Sequence, residues 1–471
     1  MWIAVTFGLM KATGGAGFII VVPMVLYALM TRKTESLFFW LLVSVCAIIV
    51  NPYVIPKGSI FGMTQRVLML VLGFCMTANV LAYVKHRVMK PYLGILLYLA
   101  FMFIPSLVGW CPKISFLKLI LFTVVYFAYF GVANQVGINP RVSSKRIRSV
   151  MLSVALLFTA GSVALLPFPG LSQLKAEDII AQGGSMEGMT SLFMGMTSHS
   201  QCLGPVVSSI AVVVFADLLF SIKKWDPLYV LILFCCPILI YKTSSRTGMG
   251  SFLLGMAFVG YLFLIARGVR RRWRQKALSV LMTILTLSLC VLVFMPAVRE
   301  GAVRFALKFQ GEGTKLETEN IISSRQGLMD RAIYNFKKSP LIGNGFQVSD
   351  AMKGMKMEGF ALSAPIEKGV WITAVLEEGG VIGWLLFVGF LVSSILISIK
   401  RRAYMGAACL FVCTLTNLGE FTFFSMSYTG GFTWAMVFVG LALDIRKMKD
   451  ENDELRLQMM EREQMMMVHG R

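Results

Sequence analysis

Apolar residues run along this chain in stretches of about 17 to 25, each closed by a short charged segment, which is the length an α-helix needs to cross a hydrocarbon core of about 30 Å. Reading those stretches against the Lys and Arg punctuation predicts spans over 13–30, 37–52, 67–84, 92–110, 116–136, 149–167, 204–222, 228–243, 247–267, 277–297, 371–398, 404–420 and 430–445. Helices are expected throughout, because a backbone amide left unpaired in lipid is too costly. The predicted fold class is therefore all-α: a polytopic transmembrane helix bundle of about 12–13 spans with one long helical extracytoplasmic loop. The expected organisation is an N-terminal bundle over 1–297, the large loop over 298–370, C-terminal transmembrane helices over 371–445 and a tail over 446–471. Residues Met1 to Met30 read as a retained anchor rather than a cleaved signal, with 1–12 as a half-helix that changes where the N-terminus lies.

Composition agrees with lipid as the solvent. The 471 residues are 57% hydrophobic and 15% charged, and mean hydropathy is +0.73, more apolar surface than a water-soluble core of this size can hide. A formal charge of +21 is in the range of nucleic-acid binders, but the basic residues lie in short loops between apolar runs, which suits anchoring and orientation and not a nucleic-acid surface. The clusters Arg32/Lys33, Lys85/Arg87/Lys90, Arg141/Lys145/Arg146/Arg148, Lys223/Lys224, Arg267 through Lys276 and Lys400/Arg401/Arg402 alternate with less basic loops, so the positive-inside rule assigns them all to the cytoplasm. The tail from Arg446 then falls in the cytoplasm as a solvated helix. Three segments fall outside: 168–203, the short turn around Arg246, and 298–370.

The outer loop from Arg299 to Gly369 is basic, as long translocated loops can be. Ser324 to Lys338 reads as a helix with a basic face, and Leu341 to Phe346 as a glycine turn lying against the membrane surface. Of nine cysteines, seven sit within apolar runs as small core residues, and none forms a Cys-x-x-Cys or zinc-spaced cluster. Cys111 and Cys202 fall on the expected outer side, where an oxidising compartment would let them pair.

Few residues can carry chemistry. Arg246 joins two apolar runs in Lys242-Thr243-Ser244-Ser245-Arg246-Thr247-Gly248, at or below the membrane interface, where snorkelling alone would account for it. Arg325 and Arg331 stand nearly two helical turns apart in the outer loop. Guanidinium forks suit phosphate oxygens, while a salt bridge with Asp330 or a solvated face would explain the pair without function.

Three stretches, in order and covering about half the chain, resemble the O-antigen ligase and polymerase superfamily of membrane glycosyltransferases. Ser245-Arg246-Thr247-Gly248 is similar to the Ser-Arg-Gly start of that family's shared region. Arg325, Met329 and Ala332 followed by Ser339-Pro340-Leu341-Ile342-Gly343-Asn344-Gly345-Phe346 resemble its arginine, aromatic, alanine, Pro-Leu-x-Gly-x-Gly stretch. Leu376-Glu377-Glu378-Gly379-Gly380-Val381-Ile382-Gly383 resembles its Leu-x-Glu-x-Gly opening of the next helix, and Gly195 to Gly204, with His199, a stretch of polymerase-like members. One departure stands out: Gly369 and Val370 occupy the place of the ligases' His-Asn pair. Glu367-Lys368-Gly369 beside it is similar to a variant of exopolysaccharide-polymerase-like relatives.

The resemblance implies transfer of a glycan from undecaprenyl pyrophosphate to a sugar hydroxyl on the outer face of the bacterial cytoplasmic membrane. Negative charge grows on the leaving pyrophosphate and must be stabilised. The outer loops show no Asp-x-Asp pair, so the expectation is no metal and no cofactor, with Arg246 and Arg325 as the pyrophosphate clamp and Arg331 and Lys368 as further phosphate contacts. Glu367 is the first choice of general base, against an interfacial pair with Lys368; His199 is the second, against an ordinary loop histidine. Glu420, at the outer end of an apolar run, is costly unless it lines a cavity or pairs with a loop lysine. The missing His-Asn pair favours polymerase over ligase. A transporter or flippase of lipid-linked sugars would show internal repeats and mid-span charges, neither of which is clear, and a membrane scaffold would leave the arginine stretches without purpose. A flippase and a chain-length regulator are partners through the resemblance alone.

Overall fold

The computed structural model describes residues 2–56, most of 64–75, 86–173, 193–222, 226–266, parts of 271–279, 318–352, 368–425 and 429–469. Its main helices are α1 (Trp2–Ala12), α2 (Val21–Met30), α3 (Thr34–Ile49), α4 (Ile95–Val108), α5 (Pro112–Ile138), α6 (Ser144–Phe158), α7 (Ser200–Asp217), α8 (Pro227–Lys242), α9 (Arg246–Ile265), α10 (Thr318–Phe336), α11 (Trp371–Lys400), α12 (Tyr404–Thr416) and α13 (Thr429–His469). Among the described residues β pairing is limited to two isolated bridges, Val50 with Thr197 and Gln173 with Phe193.

Among the described residues, six helical stretches are long and apolar enough to cross a membrane: Lys90–Val108, Pro112–Ile138, Ser144–Ala164, Ser200–Ile222, Arg246–Ile265 and Trp371–Lys400. Shorter apolar helices cover Ala16–Met30, Thr34–Ile49, Pro227–Lys242 and Tyr404–Thr416. The chain is thus an all-α, multi-pass membrane protein. The predicted span 277–297 and much of 67–84 lie outside the described residues. The boundary expected at 446 is not a break, because α13 runs from the last predicted span straight through the tail to His469.

Helix α7 is the axis of the bundle. From Leu203 to Asp217 every residue is buried, and α8, α9, α12 and α13 pack around it. Without a hydrophobic force between helices in lipid, close packing of small residues has to hold them. Gly204 of α7 meets Ser245 and Gly248 at the start of α9, and Gly440 of α13 lies on the backbone of Met405 and Gly406 in α12. The outward faces are apolar: Leu97, Phe103 and Ile104 of α4, Leu253, Leu254 and Tyr261 of α9, and Leu385, Val392 and Leu396 of α11 are all exposed. Those faces need lipid rather than water.

The described members of the basic clusters gather at one end, where the short loops meet. Arg148 grips buried Asp217 through Nε at 2.6 Å and Nη2 at 3.1 Å, and Tyr229 donates to the same carboxylate at 2.6 Å. Arg146 pairs with Glu35 at 2.7 Å, and Asp444 caps the start of α12 by accepting from the backbone N–H groups of Met405 and Gly406.

An aromatic cluster fills the middle of the other half: Tyr98, Phe122, Phe387 and Phe424 interlock with ring centroids 5.0–5.5 Å apart. Phe346 joins it, 4.9 Å from Phe424 and fully buried. The glycine turn expected to lie against the membrane surface therefore plunges into the bundle, because its terminal aromatic is a core residue. Phe346→Ala is expected to cost about 3–5 kcal/mol through the cavity it leaves, read as a lower melting temperature of the detergent-solubilised protein; an unchanged melting temperature would remove Phe346 as the loop's anchor.

Candidate functional site

Opposite the basic end, the loop over 339–347 closes onto a break in α11. Gly380 has φ 61° and ψ −166°, so the helix loses its own hydrogen bonds there. The loop supplies replacements. Val381 donates its N–H to Pro340 O at 2.9 Å and Ile382 to Leu341 O at 3.3 Å, while Asn344 and Gly345 donate to the carbonyls of Glu377 and Glu378 at 2.9 and 3.1 Å. Side chains at Gly343 or Gly380 would collide with the backbone of the facing segment, and both have positive φ, so only glycine satisfies both demands. Two of the three family-like stretches are thereby one structural unit, the Pro-Leu-x-Gly-x-Gly loop seated in the kink of the Leu-x-Glu-x-Gly helix.

Beneath this unit lies a buried polar network. Lys368 Nζ is 3.0 Å from Glu378 Oε1 and 3.2 Å from Glu377 Oε2, at ion-pair distance without linear hydrogen-bond geometry, and all three side chains are essentially inaccessible. Asn335 of α10 donates to Glu377 Oε1 at 3.0 Å, Asn344 Nδ2 donates to Asn335 O at 2.9 Å, and Lys118 of α5 donates to Gln347 O at 3.2 Å. Desolvation works against the Lys368 ammonium, but the charges of Glu378 and Glu377 outweigh it and hold its pKa above the ordinary lysine value. Lys368 is therefore directed inward at two carboxylates. Its charge is committed to the fold and is not presented to a phosphate, and its partners are Glu377 and Glu378; the expected neighbour Glu367 lies outside the described residues.

Immediately after Lys368 the chain enters a mouth where α9 and α11 begin. Phe421 donates its N–H to Gly369 O at 3.0 Å and Trp371 donates to Asn417 O at 3.1 Å, which ties the start of α11 to the turn 417–421. Gly419 in that turn packs on Thr247, so a side chain there would strike Thr247 Oγ1. Arg246, the first residue of α9, is thereby brought beside the turn. Its own helix start is capped by Ser245 Oγ, which accepts from Gly248 N at 3.1 Å. Arg325 arrives from α10: its carbonyl borders Gly369, and its Nη2 stands 3.5 Å from Glu420 Oε1. The two guanidinium groups lie within each other's electrostatic reach.

The structure thus brings together Arg246, Arg325 and Glu420 at the starts of α9 and α11, where helix dipoles add positive potential. Glu420 meets a loop arginine, not the loop lysine expected. Arg331 is elsewhere: it is half exposed and pairs with Asp350 at 2.7 Å rather than with its chain neighbour Asp330. His199 sits at the same end as the N-cap of α7, one turn above the contact of Gly204 with Ser245 and Gly248. Its Nδ1 accepts from Gln201 N at 3.1 Å, which places that nitrogen in the helix cap. Cys111 and Cys202 are not bridged, and the Cys111 thiol donates to Met352 O at 3.2 Å.

Sequence reasoning passed over Lys118, Asn335, Asn344, Glu377 and Glu378 as site-forming residues. The available signal was the rarity of Lys118, Glu377 and Glu378 inside apolar runs, where an ionisable side chain demands a partner. In comparisons with known proteins, no family model matches this chain and no characterised protein matches it.

Proposed function

We propose that this chain is a membrane glycosyltransferase that polymerises undecaprenyl-pyrophosphate-linked repeat units of a surface polysaccharide, an O-antigen or an exopolysaccharide. The supporting observation is the convergence of Arg246 and Arg325, from segments far apart in sequence, on one mouth at the start of two membrane helices. Two guanidinium groups held together at a low-dielectric boundary raise the local positive potential and favour an anion beside them. A pyrophosphate attached to a lipid is such an anion: its oxygens match guanidinium forks, and its chain stays in the bilayer beside the apolar outer faces of the helices.

In this reading the protein lies in the bacterial cytoplasmic membrane with the mouth facing outward and the basic end in the cytoplasm. Arg246 and Arg325 hold the donor pyrophosphate and stabilise the charge that develops as it leaves. The seated loop and the Lys368 network fix the position of α10, and with it Arg325. A flippase would deliver the donor, and a chain-length regulator would set how often transfer repeats.

The test is genetic. Deletion of the gene is expected to remove long polymer and to leave single lipid-linked repeat units, and complementation by Arg246→Ala or Arg325→Ala should not restore polymer. Full-length polymer retained on undecaprenyl pyrophosphate would instead identify a ligase. An unaltered glycan and lipid-linked pool would remove the glycosyltransferase reading altogether.

A further inference from the structure

At the basic end of the molecule, α2, the turn that follows it and the starts of α3 and α6 enclose a cavity of about 440 Å³, within the size range of small-ligand sites. Much of its wall is apolar: Met24, Phe39, Trp40, Ile147 and Val150 line it, and the ring of Phe39 stands edge-on to Trp40 with centroids 5.0 Å apart. Its polar wall is made by Tyr27, Lys33, Glu35 and Arg146, and donors outnumber acceptors there. Arg146 meets Glu35 through Nη1 alone, at 2.8 and 2.7 Å from the two carboxylate oxygens, so among the described residues the hydrogens on its Nε and Nη2 have no acceptor. Lys33 Nζ donates to the Tyr27 hydroxyl at 3.1 Å and lies 4.8 Å from the centre of that ring, and among the described residues no carboxylate pairs with it. The Tyr27 hydroxyl, having accepted from Lys33, still has its own hydrogen to give. Ser36 and Ser149 add hydroxyls that can serve either way. One carboxylate thus faces two cations and a phenol, and Arg32, Arg141 and Lys145, close by in the chain, are exposed.

We propose that this cavity binds the headgroup of an anionic glycerophospholipid, of the phosphatidylglycerol type, with Arg146, Lys33 and Tyr27 on its phosphate oxygens. The site needs nothing from the glycosyltransferase reading. Charge selects the headgroup. Phosphate oxygens only accept hydrogen bonds, and they match a wall whose guanidinium, ammonium and phenol hydrogens are in excess; a zwitterionic headgroup would bring a second cation towards Lys33 and Arg146. The surroundings select a lipid over a free anion. α2 carries Leu26 and Met30 exposed in a multi-pass membrane protein, so acyl chains can lie along this helix while the headgroup enters the cavity. Basic pockets between membrane helices hold anionic headgroups by the same combination of charge and apolar wall. Glu35 positions Arg146 in the wall, and its charge limits how tightly an anion is held there.

The experiment uses the full-length protein in discs of phosphatidylcholine, doped with an equal small fraction of either phosphatidylglycerol or phosphatidylcholine brominated near the glycerol end of its acyl chains. Bromine quenches tryptophan nearby, and the signal of Trp40 in the cavity wall is taken as the difference between the wild type and Trp40→Phe. Phosphatidylglycerol is expected to quench Trp40 with a relative association constant at least about fivefold above that of phosphatidylcholine. In Lys33→Gln/Arg146→Gln the ratio should fall to within about twofold of one, with a melting temperature near the wild type, because a pair as exposed as Arg146 and Glu35 adds little stability. Glu35→Gln keeps an acceptor for Arg146 but removes the opposing charge, so it should raise the preference; a fall would overturn the assignment of Arg146 to the phosphate. Equal quenching of the wild type by the two lipids overturns the proposal, as does a double variant that keeps the wild-type preference, which is what snorkelling of Lys33 alone would give. Reversal of the quenching by soluble glycerol phosphate would assign the cavity to a free anion and overturn the lipid. Should Trp40→Phe fail to fold, mass spectrometry of the purified full-length protein reads the same preference as anionic lipid retained by the wild type and lost from the double variant; equal retention by both overturns the site.

Discussion

Arg325→Ala is expected to slow chain extension by about 10²–10³-fold, the loss seen when one preorganised donor to a developing anion is removed. The effect should be large because the mouth is a low-dielectric site in which the cation is already placed: Arg325 is 20% exposed, its backbone borders Gly369, and its head is held near Glu420 before donor binds. Arg325→Lys should recover little, since an ammonium is a point charge that cannot make the paired contacts of a guanidinium fork. Arg246→Ala should act similarly, and the double variant should lose less than the product of the two, because both side chains serve one phosphate group. Arg331→Ala is the control. It is half exposed and paired with Asp350, an arrangement worth at most about 1 kcal/mol, so its rate should stay within about twofold. The comparison is read as initial rates of extension of lipid-linked repeat units in washed membranes. Equal losses at Arg325 and Arg331 would mean that the loop's overall basicity, and not a defined clamp, is what matters.

The contrast between those two arginines also marks what could be read from the sequence. Hydropathy placed most of the described helices because the bilayer imposes a length, and that constraint acts on each segment alone. Arg246 and Arg325 were recognisable as candidates by residue type and by the stretches around them. Their partners were not, because partners are set by how segments dock. Asp330 is the carboxylate nearest to Arg331 in sequence, yet adjacent residues on a helix point in different directions, and the carboxylate that reaches Arg331 is Asp350 from the following loop. Lys368 was matched to Glu367 for the same reason of chain proximity, whereas its ammonium turns to Glu377 and Glu378 within α11. The glycine turn at 341–346 was legible as a turn, but its destination depended on a helix break at Gly380 that no local pattern announces, since two consecutive glycines in an apolar run read equally well as a packing surface. Glu420 was visible as a costly charge at the end of a span, and the missing information was only the arrival of α10 beside it.

The buried network yields the second large effect. Lys368→Met is expected to destabilise the fold by about 3–5 kcal/mol, because it leaves the carboxylates of Glu377 and Glu378 side by side without a counter-charge in a site closed to water. Removing the charges together is a different matter. Replacing a whole buried ionic group by neutral side chains of similar size is often nearly neutral for stability, so adding Glu377→Gln and Glu378→Gln to Lys368→Met should recover most of the melting temperature lost by the single variant. Function should not return with it. The network joins α10 through Asn335, the start of α11 through Lys368 and the seated loop through Asn344, and these are the segments that fix Arg325 and, through the Gly369–Phe421 hydrogen bond, Glu420. The triple variant should therefore melt near the wild type in detergent yet extend lipid-linked chains more slowly, an outcome that separates the network's part in alignment from its part in stability. A single variant that melts like the wild type would mean that the two carboxylates take up protons when the lysine is gone, and that docking of the loop against Gly380 and burial of Phe346 suffice to close the site.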